Sequence, residues 1–272
     1  MNIKDKNIVI ESDTQRLYLK QHHRHHHTIT IARILILIAF LLIWEFTGRL
    51  GYIDTFFFSS PSLVVTHLIQ MISDGSFFLH TGITLFETLL SFVLISVFAL
   101  LLSTLLWYSK TLSELLEPYL VVLNSLPKSA LAPLLIVWLG TGINTIIVAG
   151  ISVAIFGSII SLYTGFKQVD QEKLKLIYTL GGNRMTAFRK VVLPASIPVI
   201  LNNMKVNIGL ALVGVIIGEF LAARMGLGYL IIYGSQVFQL NMVLTSIMIL
   251  CIIAMALYQG IQWIEHLYKK KA

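Results

Sequence analysis

The chain has 272 residues, of which 56% are hydrophobic and 12% charged. Soluble domains carry about 25% charged residues, so this composition excludes a largely soluble protein and indicates an all-α protein that crosses a membrane several times. The formal net charge is +7, but most cations flank apolar runs, where they set membrane orientation. We therefore predict no nucleic-acid partner, and the single cysteine, Cys251, excludes a disulfide within the chain.

The first 28 residues are polar and contain five clustered histidines, His22, His23, His25, His26 and His27. A secretory signal has a small-residue cleavage site after a short apolar core, but here the apolar run begins late and no such site follows. We therefore predict that the first apolar run is an uncleaved membrane span. Such a cluster is typical of metal-binding segments. The alternative is a soluble cytoplasmic tail that binds no metal. The cluster lacks acidic or cysteine partners at fixed spacing, so we predict no metal ligand.

Six apolar runs approach the length of about 20 residues that a membrane-spanning helix needs. The first is predicted at 29–46. After it, a short amphipathic helix on the membrane surface is predicted from the helical spacing of Leu63, Val64, His67, Leu68 and Met71. The remaining spans are predicted at 83–107, 118–139, 143–166, 195–220 and 242–264.

The third span contains the sequence LPKS at 126–129, followed by Pro133. Proline removes a backbone donor and kinks a helix, so we predict a break in the middle of this span. Broken helices at membrane depth occur only against protein or a wet cavity.

Sixteen of the 20 lysines and arginines fall on one side of the membrane if the N-terminus is cytoplasmic, and the other side holds only Arg49 and Arg224. Cytoplasmic segments are enriched in these residues. We therefore predict that both termini are cytoplasmic, together with residues 167–194, which we call the polar segment.

The polar segment cannot lie in lipid, because its charges and loop backbone would be unsatisfied there. Asp170 and Glu172 suit the start of a helix, and Gly181 and Gly182 suit its end. A second short helix is predicted at 186–192, and Pro194 marks the start of the next span. This helix–glycine–helix pattern is typical of a docking element for a soluble partner, and an ordinary cytoplasmic linker is the alternative.

Motifs of enzyme chemistry are absent from the sequence. It contains no phosphate-binding loop of the form GxxxxGK[ST], no HExxH and no CxxC. We therefore predict that the chain is not an enzyme, has no catalytic residue and does not bind ATP through such a loop.

Three ordered motifs resemble the permeases of ABC importers. Gly181, Phe188, Leu193 and Pro194 fall on fixed positions of their EAA loop, whereas the acid-Ala-Ala start of that motif falls on the unmatched residues Lys175, Leu176 and Ile177. The stretches LPKSALAPL at 126–134 and EFLAA at 219–223 with GLGYL at 226–230 resemble signatures of the nitrate/sulfonate/taurine branch. The resemblance covers about residues 81–267, and Glu87 stands where that branch usually has arginine.

The resemblance implies a six-helix membrane protein with the type I, MetI-like ABC importer fold. It divides the chain into a tail at 1–28, a first span and extracytoplasmic segment at 29–80, a permease core at 81–267 and a basic tail at 268–272. The expected partners are a second copy of the chain, two ABC ATPase subunits and an extracytoplasmic substrate-binding protein. The chain itself would bind no cofactor, with ATP and Mg²⁺ on the ATPase, and the membrane would be the bacterial plasma membrane.

The same resemblance makes the polar segment the loop that couples to the ATPase. Its expected contact residues are Glu172, Tyr178, Gly181, Gly182, Arg184, Met185, Phe188 and Pro194. Glu172 would substitute for the missing acid of the motif. Met185 and Phe188 would pack into the ATPase groove or, alternatively, cover the cytoplasmic ends of the permease's own helices.

Five polar residues within spans are candidates for the translocation path, namely Lys128, Asn203, Lys205, Asn207 and Glu219. Lys205 lies about 15 Å into its span, where a charge usually faces a cavity or a partner. Its alternative role is an ion pair with Glu219 or Glu87. Glu219 would alternatively cap the turn at 226–228, and Lys128 would be solvated at the mouth of the broken helix.

The two lysines favour a small organic anion such as a sulfonate, taurine or nitrate as the solute, and a thiamine-precursor pyrimidine is the alternative within the branch. An ion-gradient-driven transporter, in which Glu87 or Lys205 carries protons or substrate, is the alternative from another class. The third alternative is a membrane scaffold protein that transports no solute.

Overall fold

A computed structural model describes residues 13–271, and within residues 13–27 and at positions 30, 34 and 271 it describes the backbone alone. All regular structure in this part of the chain is helical. The helices, in chain order, are α1 (Asp13–Arg49), α2 (Thr55–Phe58), α3 (Pro61–Ser73), α4 (Ser76–Tyr108), α5 (Lys110–Ser125), α6 (Lys128–Leu139), α7 (Ile143–Lys167), α8 (Gln171–Thr179), α9 (Arg184–Ala187), α10 (Leu193–Ala222), α11 (Leu227–Gln236) and α12 (Leu240–Lys271). A π-helical turn, Phe188–Val192, joins α9 to α10.

Five stretches of the described chain are long and apolar enough to cross a membrane. They are the second half of α1, α4, α7, the continuous helix from α9 through α10, and α12. Helices α5 and α6 make a sixth span if the pair is taken together, and they are bent by 97° at their break. The break lies at Leu126 and Pro127, where both residues have extended backbone angles, so the predicted interruption is confirmed.

The chain divides into two compact units, one up to Leu63 and one from Val64 onward. In the first unit, Glu45 accepts a hydrogen bond from the Ser62 amide at 3.0 Å and pairs with Arg49 at 2.6 Å. The backbone of the histidine cluster belongs to α1. The histidine side chains lie outside the described residues, so the prediction that they bind no metal stays a prediction.

Most of α3 belongs to the second unit, which begins at Val64. Met71 is buried with Leu212 and Leu250, and Leu68 packs against the same cluster. The Thr245 hydroxyl donates to the Val64 carbonyl at 3.3 Å. Val64, Leu68 and Met71 of the predicted apolar face therefore pack on protein, whereas Leu63 of the same face is exposed.

Helix α7 lies at the centre of the second unit and contacts both α4 and α10. Small residues allow the close approach: a Cβ added to Gly214 of α10 would lie 2.8 Å from the Cα of Gly150 in α7. One added to Gly218 would lie 2.8 Å from the Cα of Ile146. Close backbone contact through small residues is how helices associate in lipid, where no hydrophobic driving force acts between them.

We expect Gly214→Ala to destabilise the fold, because the added methyl group would displace α10 from α7. Overpacking of this kind costs about 1–3 kcal/mol. Gly209→Ala is the matched control, since nothing lies within 4 Å of a Cβ added at that position of the same helix. Thermal unfolding of the detergent-solubilised chain checks the prediction, and equal unfolding temperatures for the two variants would contradict it.

Candidate functional site

The polar segment begins with a capped helix that glycine terminates. The Asp170 carboxylate accepts a hydrogen bond from the Glu172 amide at 2.9 Å and so caps the start of α8. At the other end, Gly181 has a φ of 81°, and its amide donates to the Tyr178 carbonyl at 3.0 Å. This left-handed geometry favours glycine, so the predicted end of the helix is confirmed.

Gly182 is required for a different reason. Its amide donates to the Ile177 carbonyl at 2.9 Å, and a Cβ at this position would lie 2.8 Å from that same carbonyl oxygen. The two glycines together hold a compact turn between α8 and α9.

The second half of the polar segment is not the separate short helix predicted at 186–192. Asn183 caps α9 by accepting a hydrogen bond from the Thr186 amide at 2.8 Å, and α9 runs through the π turn into α10 without interruption. Pro194 is the second residue after the π turn, so its missing donor falls next to the place where the helical hydrogen-bond ladder is widened. Pro194 therefore lies inside a continuous helix that links the polar segment to a membrane span.

Phe188 points into the chain's own core. It is 7% exposed, with its ring centroid 5.3 Å from that of Trp107 and 5.7 Å from that of Phe166. This corrects its assignment to an ATPase groove and matches the alternative, in which it covers the permease's own helix ends. Met185, three residues earlier, is exposed.

Arg184 attaches the polar segment to the end of α4. Its Nη2 donates to the Trp107 carbonyl at 2.9 Å, and its guanidinium lies 5.4 Å from the Trp107 ring and 5.5 Å from the Tyr108 ring. Sequence reasoning assigned Arg184 to a partner and did not single out Trp107, since a contact between residues 77 positions apart leaves no local pattern. The two residues also line a cleft of about 500 Å³ between α5 and the polar segment.

Lys205 forms an ion pair with Glu265 of α12, and the same carboxylate pairs with Lys269 at 2.9 Å. Its partner is therefore neither Glu219 nor Glu87, the two that were predicted. The Lys205 side chain is 16% exposed. Its charge is compensated within the chain, which removes the reason for assigning it to an anionic solute.

Asn203 and Asn207 are buried between α10 and α7. The Asn207 amide donates to Asn203 Oδ1 at 2.7 Å, and the Ser158 hydroxyl donates to Asn207 Oδ1 at 2.6 Å. In this structure the two asparagines join helices, a common use of polar residues inside membrane bundles.

Lys128 lies at the break between α5 and α6 and is partly exposed. Its ammonium donates to the Leu123 carbonyl at 2.8 Å and to the Asn124 carbonyl at 2.6 Å. It thereby satisfies carbonyls that the end of α5 leaves unpaired, which is what a break inside a span requires.

Glu219 is fully buried at the end of α10 and holds the turn that follows. Its carboxylate accepts hydrogen bonds from the Gly228 amide and from the Thr84 hydroxyl, the latter at 2.7 Å. The Thr84 hydroxyl in turn accepts from the Leu227 amide at 2.8 Å. Glu219 thus caps the turn at 226–228, the alternative to a place on the translocation path. Glycine is needed at 228, because a Cβ there would lie 2.7 Å from the Glu219 carboxylate.

The chain is similar to known proteins over most of its length. Residues 93–262 match the family described as binding-protein-dependent transport system inner membrane component. A probable ABC transporter permease protein of Haemophilus influenzae is 31% identical, covering 86% of this chain and 94% of that protein. The formylaminopyrimidine transport permease protein ThiX of Halalkalibacterium halodurans is 28% identical, covering 72% and 77%. The putative aliphatic sulfonates transport permease protein SsuC of Bacillus subtilis is 28% identical, covering 78% and 77%.

A solved structure of the inward-facing MetNI methionine ABC transporter contains a chain with the same fold. The TM-score is 0.57 at 19% identity, and the match covers 66% of this chain and 91% of that chain. The predicted all-α, MetI-like ABC importer fold is therefore confirmed.

We expect Thr84→Val to destabilise the protein, because it leaves both the Glu219 carboxylate and the Leu227 amide short of a buried partner. An unsatisfied buried polar group costs about 1–3 kcal/mol. Thr84→Ser keeps the hydroxyl and is the matched control. Thermal unfolding in detergent measures the difference, and a Val variant as stable as the Ser variant would contradict the role of the hydroxyl.

We expect Arg184→Ala to loosen the polar segment without unfolding the membrane helices, because it removes the attachment to Trp107. Hydrogen exchange should rise over residues 171–183 and stay unchanged in α7. Arg189→Ala is the control, since Arg189 is exposed. If both variants left exchange in the polar segment unchanged, the attachment would not restrain it.

Proposed function

Because the chain belongs to the inner membrane components of binding-protein-dependent transport systems, we propose that two copies form the path of an ATP-driven importer. The chain is a multi-pass membrane permease of an ABC transporter. In the proposal, both termini face the cytoplasm of a bacterial cell and the membrane is its plasma membrane. The positive-inside distribution of lysine and arginine supports this orientation.

The observation that carries the proposal is the exposed apolar face of the polar segment. Leu180 is 74% exposed and Leu176 58% exposed, in a segment too polar to lie in lipid. Tyr178 and Met185 are exposed as well. Apolar side chains presented together on a projecting element are typical of a protein-binding surface. We assign this surface to one ABC ATPase subunit per permease, which holds the ATP and Mg²⁺.

The side of the polar segment that packs on the membrane helices is suited to transmit force. Leu174 and Phe188 are buried in the chain's core, Arg184 attaches the segment to α4, and α9 continues into α10. Movement of the docked ATPases would therefore reach α4 and α10 together. Rocking of such helices between inward- and outward-facing states is the basis of alternating access.

The proposed solute is a small organic molecule with an acidic group, delivered by an extracytoplasmic binding protein. The relative named for aliphatic sulfonates supports this choice, and the relative named for formylaminopyrimidine supports a thiamine-precursor pyrimidine as the alternative. Lys128 stays a candidate contact on the path, because it lies, partly exposed, at the break between α5 and α6.

We expect Gly181→Val to weaken association with the ATPase, whereas Gly181→Asn should keep it. No atom lies within 4 Å of a Cβ at this position, so the effect comes from backbone strain. A β-branched residue is strongly disfavoured at positive φ while asparagine tolerates it. A strain of about 1–2 kcal/mol corresponds to about tenfold weaker docking. The measurement is co-purification of the ATPase at matched permease levels.

Two outcomes would contradict the proposal. Equal ATPase association of the valine and asparagine variants would show that ATPase binding does not depend on the backbone conformation of this turn. Solute uptake that persists with a hydrolysis-deficient ATPase would instead favour the ion-gradient-driven alternative.

A further inference from the structure

Three charged side chains meet where α10 and α12 pack together. The Glu265 carboxylate pairs through Oε2 with Lys205 of α10 and through Oε1 with Lys269 of its own helix, the latter at 2.9 Å. One carboxylate thus faces two ammonium groups, so the cluster keeps one surplus positive charge. Each ammonium has three donors, and neither lysine has a second acceptor among the described residues.

The charge cluster lies at a membrane boundary, on the side of the polar segment. The hydrocarbon core of a membrane takes about 20 helical residues. Counted back from the end of α10 at Ala222 and forward from the start of α12 at Leu240, this length ends at about residues 202 and 260. Lys205 and Glu265 lie within about two turns of these points. Both helices therefore place the cluster at the depth of the lipid headgroups, and in the orientation proposed above this is the cytoplasmic leaflet.

An apolar groove lies between the same two helices. Its volume is about 380 Å³, and every residue that lines it is hydrophobic. The lining residues from α10 and α12 include Leu212, Ile216, Phe220, Leu250, Cys251 and Ala254. A groove of this kind at membrane depth is suited to a hydrocarbon chain.

Helical spacing places the charge cluster and the groove along one seam. Leu212 follows Lys205 by 7 residues and Ala254 precedes Glu265 by 11, spacings that return to the same face of a helix. Gly209, between them on α10, is exposed, and nothing lies within 4 Å of a Cβ added there. At 1.5 Å per residue, the near end of the groove is about 10–17 Å from the charges. This distance is close to the hydrocarbon depth of one leaflet, about 15 Å.

We propose that this seam binds an anionic phospholipid, with its phosphate at Lys205 and Lys269 and one acyl chain in the groove. The phosphate supplies the negative charge that the cluster lacks and accepts hydrogen bonds from the remaining ammonium donors. A soluble anion would fit the charges but not the groove, and a lipid without net charge would fit the groove but not the charges. The lipid would also tie α12 to α10, the helix that continues into the polar segment. The inference concerns a lipid and is independent of which solute is transported.

The test is native mass spectrometry of the full chain, released from nanodiscs that hold equal amounts of phosphatidylglycerol and phosphatidylcholine. We expect about fivefold more phosphatidylglycerol to be retained, the factor that one positive charge contributes at a membrane surface. Lys269→Gln should remove this preference, because it leaves one ammonium facing one carboxylate. Lys270→Gln is the matched control, since Lys270 is exposed and forms no ion pair within the described residues.

Glu265→Gln distinguishes a lipid site from an ion pair that only joins helices. It breaks the pair with Lys205 but adds to the surplus positive charge, so the preference for phosphatidylglycerol should increase. A fall in the preference would contradict the proposal. If this variant does not fold, Lys269→Gln still decides the question, because the Lys269 side chain is 65% exposed.

A second pair of variants tests the groove. Cys251→Trp should reduce the retained phosphatidylglycerol at least as much as Lys269→Gln does, because the indole occupies the space of the acyl chain. Ile252→Trp is the matched control, since Ile252 is exposed on the same helix and does not line the groove.

The inference is overturned if the unmodified chain retains both lipids equally, or if either test variant behaves like its control. Displacement of phosphatidylglycerol by millimolar glycerol phosphate would assign the charges to a soluble anion instead. Lipid that is retained by the single chain and lost from a dimer would assign the groove to the second copy.

Discussion

Close packing of α10 against α7 is the contact on which the rest of the structure depends. Gly150, Gly214 and Gly218 bring the two backbones together, and Asn207 and Ser158 add a hydrogen bond across the same interface. In lipid, such close van der Waals contact and shared hydrogen bonds replace the hydrophobic effect as the source of helix association. Because α10 continues the polar segment at one end and carries the Glu219 turn at the other, this interface positions both sites.

Polar residues inside the spans mainly hold helices and turns together. Glu219 organises the turn after α10, Lys128 satisfies the end of α5, and Lys205 joins α10 to α12 through Glu265. Without water in the hydrocarbon, each polar group must find a partner within the protein. Among the described residues, Glu87, Thr88, Ser96 and Ser196 each keep a buried side-chain oxygen without such a partner.

One side of the polar segment is packed against the membrane helices, and the other side is exposed. Phe188, Leu174 and Arg184 bind it to the membrane helices, while Leu176 and Leu180 remain accessible. An element that transmits force needs both properties, because a flexible loop would absorb the movement of its partner. The Gly181–Gly182 turn fixes the shape of the exposed face, through the positive φ of Gly181 and the close approach of the Ile177 carbonyl to Gly182.

Local rules were enough to predict the spans, the break at Leu126 and Pro127, the glycine end of α8 and the capping alternative for Glu219, since each follows from hydropathy, proline, glycine or near neighbours in the chain. They failed for the direction of Phe188, for the continuity of α9 with α10 and for the partner of Lys205. The sequence by itself determined which segments are apolar enough to span a membrane and where proline and glycine interrupt them. Only the tertiary structure decided which polar and aromatic side chains meet, because those pairings join residues far apart in the chain, and packing selects among partners that sequence spacing leaves equal.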